Sequence, residues 1–214
     1  MAKQTGALLA FDARGQLGKT IVFGSWRGQS YARRYVVPAN PKTAAQTLTR
    51  SAFSWLQQAW KLSPTIFQAP WDLYASGQPF TNRNAFGSKN IAVLRSAADL
   101  SGLIFSPGAK GGIALATATF TAGVGLITVA GPGPAPPVGW PLAAIQAAVV
   151  RDQDPNTGVL YQISANEDLV SPYSFTITGL TAGQLYRCAA WAKWTKPNNT
   201  TAYGPQFAGS ATPT

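Results

Sequence analysis

The residues whose types and spacing come nearest to a chemical motif are Ala13-Arg14-Gly15-Gln16-Leu17-Gly18-Lys19-Thr20. They fit the loose phosphate-binding loop: Ala or Gly, four residues, then Gly-Lys-Thr/Ser. Such a loop joins a strand to a helix, whose first amides cradle phosphate while the lysine neutralises it. Here Lys19 is followed by Thr20-Ile21-Val22-Phe23-Gly24, a β-branched and aromatic run that reads as strand. Nor does an apolar strand ending in a metal-binding aspartate follow in the same half. Ala148-Val149-Val150-Arg151-Asp152 comes closest, and it lies far along the chain. The motif reads as a Gly-rich hairpin loop.

Other chemistry is thinly supplied. The chain has no histidine, which removes the commonest general base, the commonest metal ligand and every His-dependent triad. Seven carboxylates in 214 residues leave few ways to build a paired-acid site. The single cysteine, Cys188, excludes an intrachain disulfide and a multi-cysteine metal site. The expectation is a protein that is not an enzyme and has no cofactor, metal or small-molecule substrate.

Charge is scarce and uneven. Only 11% of residues are charged, less than half the share of about 25% usual in soluble domains, so contact with neighbouring molecules is expected to cover much of the surface. The net charge is +10, and residues 1–108 hold 12 of the 17 Lys and Arg against three of the seven acids. Between Ala13 and Trp71 stand eight basic residues and no acid. No apolar run approaches the roughly 18–20 residues of a membrane span, and the first residues lack a signal-peptide core. The chain is expected to be made and kept inside the producing cell, and the sequons in Asn198-Asn199-Thr200-Thr201 carry no weight there.

The elements that hold these residues divide at Ser106–Gly112, which reads as a linker between domains over 1–105 and 113–214. In the first half, Gly6–Asp12, Thr20–Trp26 and Ser30–Val37 read as strands of a small meander. Helices follow: Thr43 caps a run over Ala44–Leu62, Ser63-Pro64 opens a short helix that Pro70 must kink or interrupt, and Thr81 or Asn82 starts a third. Trp55, Trp60, Phe67, Trp71 and Tyr74 read as the core of this cluster. Lys19, Trp26, Arg27, Tyr31, Arg33, Arg34, Lys42 and Arg50 form a candidate docking surface, in which cations alternate with aromatics. Three readings stand: docking on an acidic protein surface, gripping nucleic acid by stacking and phosphate contacts, or a merely solvated face.

Gly18-Lys19-Thr20-Ile21-Val22-Phe23-Gly24-Ser25-Trp26-Arg27-Gly28, Tyr31-Ala32-Arg33, Asn40-Pro41-Lys42-Thr43-Ala44-Ala45-Gln46 and Arg50 together resemble a family of phage and prophage proteins. Its ordered pattern is G-K-T-strand, W-R/K-G, Y-x-R, N-P-x-T-x-x-Q-x-x-x-R, and Trp71 and Thr81-x-Arg83-Asn84-Ala85-Phe86 continue it. The resemblance covers about residues 6–96. It implies a structural component of a virion, made in the cytoplasm of the bacterial host, whose partners are the major capsid, neck or tail proteins and copies of itself.

From Gly112 onward, short β-rich runs alternate with turns: Ala114–Thr121, Gly125–Val129, Ala144–Arg151, Val159–Ser164, Tyr173–Ile177, Leu185–Lys193 and Gln206–Ala211. Seven such strands over about 100 residues suit an immunoglobulin-like sandwich. Tyr173–Tyr186, with Leu180-x-x-Gly183-x-x-Tyr186, is similar to the fibronectin type III pattern, which implies that the Tyr186 hydroxyl ties its strand back to the preceding backbone. The stiff Gly131–Pro137 insertion and the absence of a well-placed second-strand Trp depart from that pattern. Trp194 reads as a candidate exposed aromatic, a contact for a neighbouring subunit or a sugar. The fold expected is an α+β N-terminal domain followed by an all-β immunoglobulin-like sandwich.

Overall fold

The computed structural model describes residues 15–27, 29–37, 39–96, 99–136, 138–154, 162–169 and 171–214. The chain forms two compact units, Met1–Lys42 and Thr43–Thr214. It mixes a few helices with antiparallel strands in three sheets.

In the first unit β1 (Gly15–Leu17), β2 (Ile21–Trp26) and β3 (Gln29–Arg34) form an antiparallel sheet in that order. β1 occupies part of what reads in the sequence as a connecting loop. The expected strand over Gly6–Asp12 lies outside the described residues.

The second unit opens with α1 (Ala44–Leu62), where the Thr43 side chain accepts from the Gln46 N–H. Its buried residues, Ala52, Trp55, Leu56 and Ala59, recur at helical spacing. Ser63 ends α1, its hydroxyl donating to the Trp60 carbonyl, and Pro64 is the N-cap of α2 (Thr65–Ala75). α2 runs through Pro70, so the expected interruption gives way to a continuous helix lacking one internal bond. α3 (Asn82–Ser96) starts on Thr81, whose hydroxyl accepts from the Asn84 N–H.

Among the described residues eight strands follow. β4 (Thr119–Gly123), β5 (Leu126–Gly131) and β8 (Tyr173–Thr178) form one sheet. β6 (Leu142–Arg151), β7 (Ile163–Asp168), β9 (Tyr186–Thr195), β10 (Thr201–Tyr203) and β11 (Phe207–Ala211) form the other, with β10 and β11 both pairing with β9. Odd and even positions of the two long central strands face different cores. Ala148, Val150, Ala189 and Trp191 pack with the helices around Trp55, Phe67, Trp71 and Phe86. Ile145, Ala147, Val149, Cys188, Ala190 and Trp194 pack with Ile127, Val129, Tyr173 and Ile177 of the three-stranded sheet. The five-stranded sheet is thus the middle of three layers, which is why Ala144–Val150 and Cys188–Ala192 are buried without alternation.

This layering moves the division of the chain. The sequence suggests a boundary at 106–112, whereas the compact units meet at Lys42/Thr43 and the helices share a core with the sheet. The stretch around residue 106 is a strap bonded on both sides. Asn90 Oδ1 accepts from the Ile104 N–H at 2.7 Å, and its amide donates to the Ile104 carbonyl at 3.1 Å. Trp71 Nε1 donates to the Phe105 carbonyl at 2.8 Å. From the other side, Gln206 accepts from the Phe105 N–H and donates to the Leu103 carbonyl, while the Ser106 hydroxyl donates to the Gly204 carbonyl. Beyond it, Gly112 and Gly204 let two backbones cross: a Cβ on Gly112 would stand 2.1 Å from the Tyr203 carbonyl carbon, and one on Gly204 2.1 Å from the Ile113 oxygen.

The middle layer also corrects the reading of Trp194. Trp191 and Trp194 lie on opposite faces of β9, and both are fully buried because both faces are covered. Trp194 Nε1 donates to the Ile113 carbonyl at 3.1 Å, so it is a core residue and presents no exposed aromatic.

Candidate docking surface

The phosphate-loop pattern resolves into a turn. Gly18 and Lys19 take φ of 52° and 56°, the signs demanded at the centre of a type I′ turn, and the Thr20 N–H closes it on the Leu17 carbonyl at 3.1 Å. The Thr20 hydroxyl donates to the same carbonyl at 3.0 Å. β2 follows directly, so no helix N-terminus stands beside Lys19 to gather amides toward a phosphate.

Register sorts the side chains of the sheet. Val22 opposes Gln16 and Arg33, Gly24 opposes Tyr31, and Trp26 is two residues further along, so Val22, Trp26, Tyr31 and Arg33 share one face. Gly24 is needed there: a Cβ at this position would stand 2.8 Å from the Tyr31 ring. Ile21 opposes Leu17 and Arg34, and Phe23 opposes Ala32, so Leu17, Ile21, Phe23, Ala32 and Arg34 share the other face. Arg27 turns the β2–β3 hairpin at φ 48°, its guanidinium carbon 5.9 Å from the centre of the Trp26 ring.

No described residue of 15–42 is buried. Trp26 is 71% exposed, and Tyr31, Leu17 and Ile21 are exposed too. Among the described residues none of Lys19, Arg27, Arg33, Arg34 or Lys42 is paired with a carboxylate. An apolar sheet face open to water forgoes the burial that stabilises three strands. The sheet thus combines exposed apolar side chains with cations that pair with no carboxylate among the described residues.

Of the residues expected to act together, Trp26, Arg27, Tyr31 and Arg33 meet on one side of the hairpin. Arg34 faces the other side, and Lys19 stands at the opposite end of β2, roughly 17 Å away at strand rise. Lys42 lies beyond the sheet at φ 49°, and Arg50 belongs to α1 in the second unit. The apolar face of Leu17, Ile21 and Phe23 is absent from the expected set. Alternation along Ile21-Val22-Phe23 was its signal, masked because Val22 is apolar too.

Elsewhere, no group of three or more His, Cys, Asp or Glu side chains gathers among the described residues, and none of their helices is long and apolar enough to cross a membrane. Comparison with protein-family models yields no match, and neither does comparison with curated proteins.

Proposed function

We propose that this chain is a non-enzymatic structural component of a bacteriophage virion, a capsid-decorating, neck or tail protein. It docks through its basic N-terminal unit and bridges to neighbours with an immunoglobulin-like sandwich. The observation that carries the reading is the N-terminal sheet: exposed Leu17, Ile21, Trp26 and Tyr31, beside cations that pair with no carboxylate among the described residues, make an element that would gain stability on meeting an acidic partner. The placement in a virion is supported by the phage-like motif series that runs through this sheet into α1 and α3.

Two features support the sandwich. Numbered as an immunoglobulin-like domain, β4, β5 and β8 stand for strands A, B and E, while β6, β9 and β10/β11 stand for C, F and G in the opposite sheet. Tyr186, at the start of β9, accepts from the Thr181 N–H at 2.9 Å through its hydroxyl, as a tyrosine corner does. The same hydroxyl donates to Gln162 Oε1 at 2.6 Å.

Mass spectrometry of purified particles tests the reading. The chain is expected in stoichiometric copies, reduced in particles assembled with Trp26→Ala or Arg33→Glu; its absence from particles would refute the proposal. A second reading, nucleic-acid binding, draws on the placement of Trp26, Arg27, Tyr31 and Arg33 on one side of the hairpin. A salt titration separates the two, since phosphate contacts give an affinity that falls steeply with salt.

A further inference from the structure

We propose that the outer groove between α1 and α3 is a second docking surface, and that it takes an acidic peptide segment of a partner protein anchored by one apolar side chain. This surface belongs to the second unit and goes beyond the docking sheet described above.

The inward faces of α1 and α3 fill the core. Their outward faces leave a cavity of about 230 Å³ walled by Phe53, Gln57, Arg83, Asn84, Gly87 and Ile91. Gln57 and Arg83 also wall a neighbouring cavity of about 490 Å³, which continues past Lys61 to Gln68. Phe53 is 55% exposed at this rim, a large apolar side chain left without cover.

Gly87 points the same way. Glycine inside a helix is a destabilising choice relative to alanine. A Cβ here would meet nothing within 4 Å, and the residue lacks the positive φ that would call for glycine. Neither packing nor backbone conformation explains it. Its effect is to keep the groove open beside Phe53 and Ile91.

Charge selects the occupant. α1 carries Arg50 and Lys61, α3 carries Arg83, Lys89 and Arg95, all five are exposed, and neither helix has an acid. Solvated helix faces usually mix both signs in supporting pairs. The acids nearest in sequence, Asp72 of α2 and Asp99 just past α3, are engaged by Asn82 and by Ser101 and Arg187 respectively. Arg83 walls the groove itself and Lys61 its continuation, beside an apolar centre of Phe53 and Ile91 and the amide side chains of Gln57 and Asn84, which match a peptide backbone. Among the described residues a second copy of this chain is a poor occupant: Asp99 and Asp152 pair with Arg187, Glu167 accepts from Gln146, and Asp168 accepts from the Ser174 N–H.

Fluorescence anisotropy with the full chain decides the matter. The probes are a labelled short peptide with one Leu flanked on both sides by Glu, a polyglutamate of equal length, and a short DNA duplex as competitor. The Leu-centred peptide is expected to bind at least about tenfold more tightly than polyglutamate, and Arg83→Glu and Gly87→Leu are each expected to weaken it about tenfold. Gly87→Ala is expected to raise the melting temperature, showing that position 87 tolerates a side chain. Lys110→Glu, at an exposed lysine outside both surfaces, is expected to leave peptide binding unchanged. Equal binding of both peptides, an unaffected Gly87→Leu variant, or displacement of the peptide by duplex DNA would overturn the proposal.

Discussion

Trp191 and Trp194 stand three residues apart on one strand, point in opposite directions, and are both completely enclosed. Trp191 Nε1 donates to Gln146 Oε1 at 3.0 Å on the helical side, and Trp194 Nε1 donates to the Ile113 carbonyl at 3.1 Å on the other. Each indole fills one of the two cores that β9 separates. Replacing either by alanine leaves a large void and an orphaned acceptor, and is expected to cost about 3–5 kcal/mol. Chemical denaturation checks this, and near-equal losses for the two variants are the mark of a strand covered on both faces.

Asn90 is fully buried and holds both polar groups of Ile104, so Asn90→Ala strands a donor and an acceptor of the main chain. The expected loss is about 2–3 kcal/mol. Limited proteolysis gives a second readout: the 106–112 stretch resists cleavage in the native chain and becomes a preferred site in the variant.

Asp99 carries the acid-sensitive part of a junction between the layers. Its carboxylate accepts from the Ser101 hydroxyl at 2.7 Å and the Ser101 N–H at 2.9 Å, and lies 2.9 Å from Arg187. The Ser101 bonds first, and Arg187 after them, hold its pKa below the ordinary 3.8. A depressed acid contributes stability that is present above the unfolded-state value and lost as pH falls through the folded one. Denaturation midpoints are expected to drop on acidification below about pH 4, with a smaller drop in Asp99→Asn.

Cys188 is buried between the sheets, and burial pushes its thiol up to about 12. Thiol reagents attack the thiolate, so the native chain is expected to stay unlabelled at mildly alkaline pH and to react on unfolding. Labelling at the rate of a free thiol would show that β9 opens locally.

The parts of the fold legible in the sequence are those with local causes. Thr43 caps α1 and Ala44–Leu62 runs as its spacing predicts. Lys19 sits in a turn feeding a strand, and the Tyr186 hydroxyl reaches back to Thr181. What the sequence hides depends on partners far along the chain. The strap looks like a linker because its Gly and Pro are local, whereas the side chains that hold it, Asn90 and Gln206, are 116 positions apart. Trp194 looks exposable because period-two reasoning assumes one covered face, although the unbroken burial of Ala144–Val150 opposite it carries the signal of two. In the candidate site the hairpin cations were readable, while their division between two faces required the register.

The strap has a consequence for how the chain is made. Phe105 and Leu103 wait on Gln206, and Ser106 waits on Gly204. During vectorial synthesis α1, α2 and α3 leave the ribosome long before those partners exist. The strand residues that cover their apolar faces, Ala148, Val150, Ala189 and Trp191, follow only after β6 and β9 are made, so those faces are expected to stay open to water for much of translation.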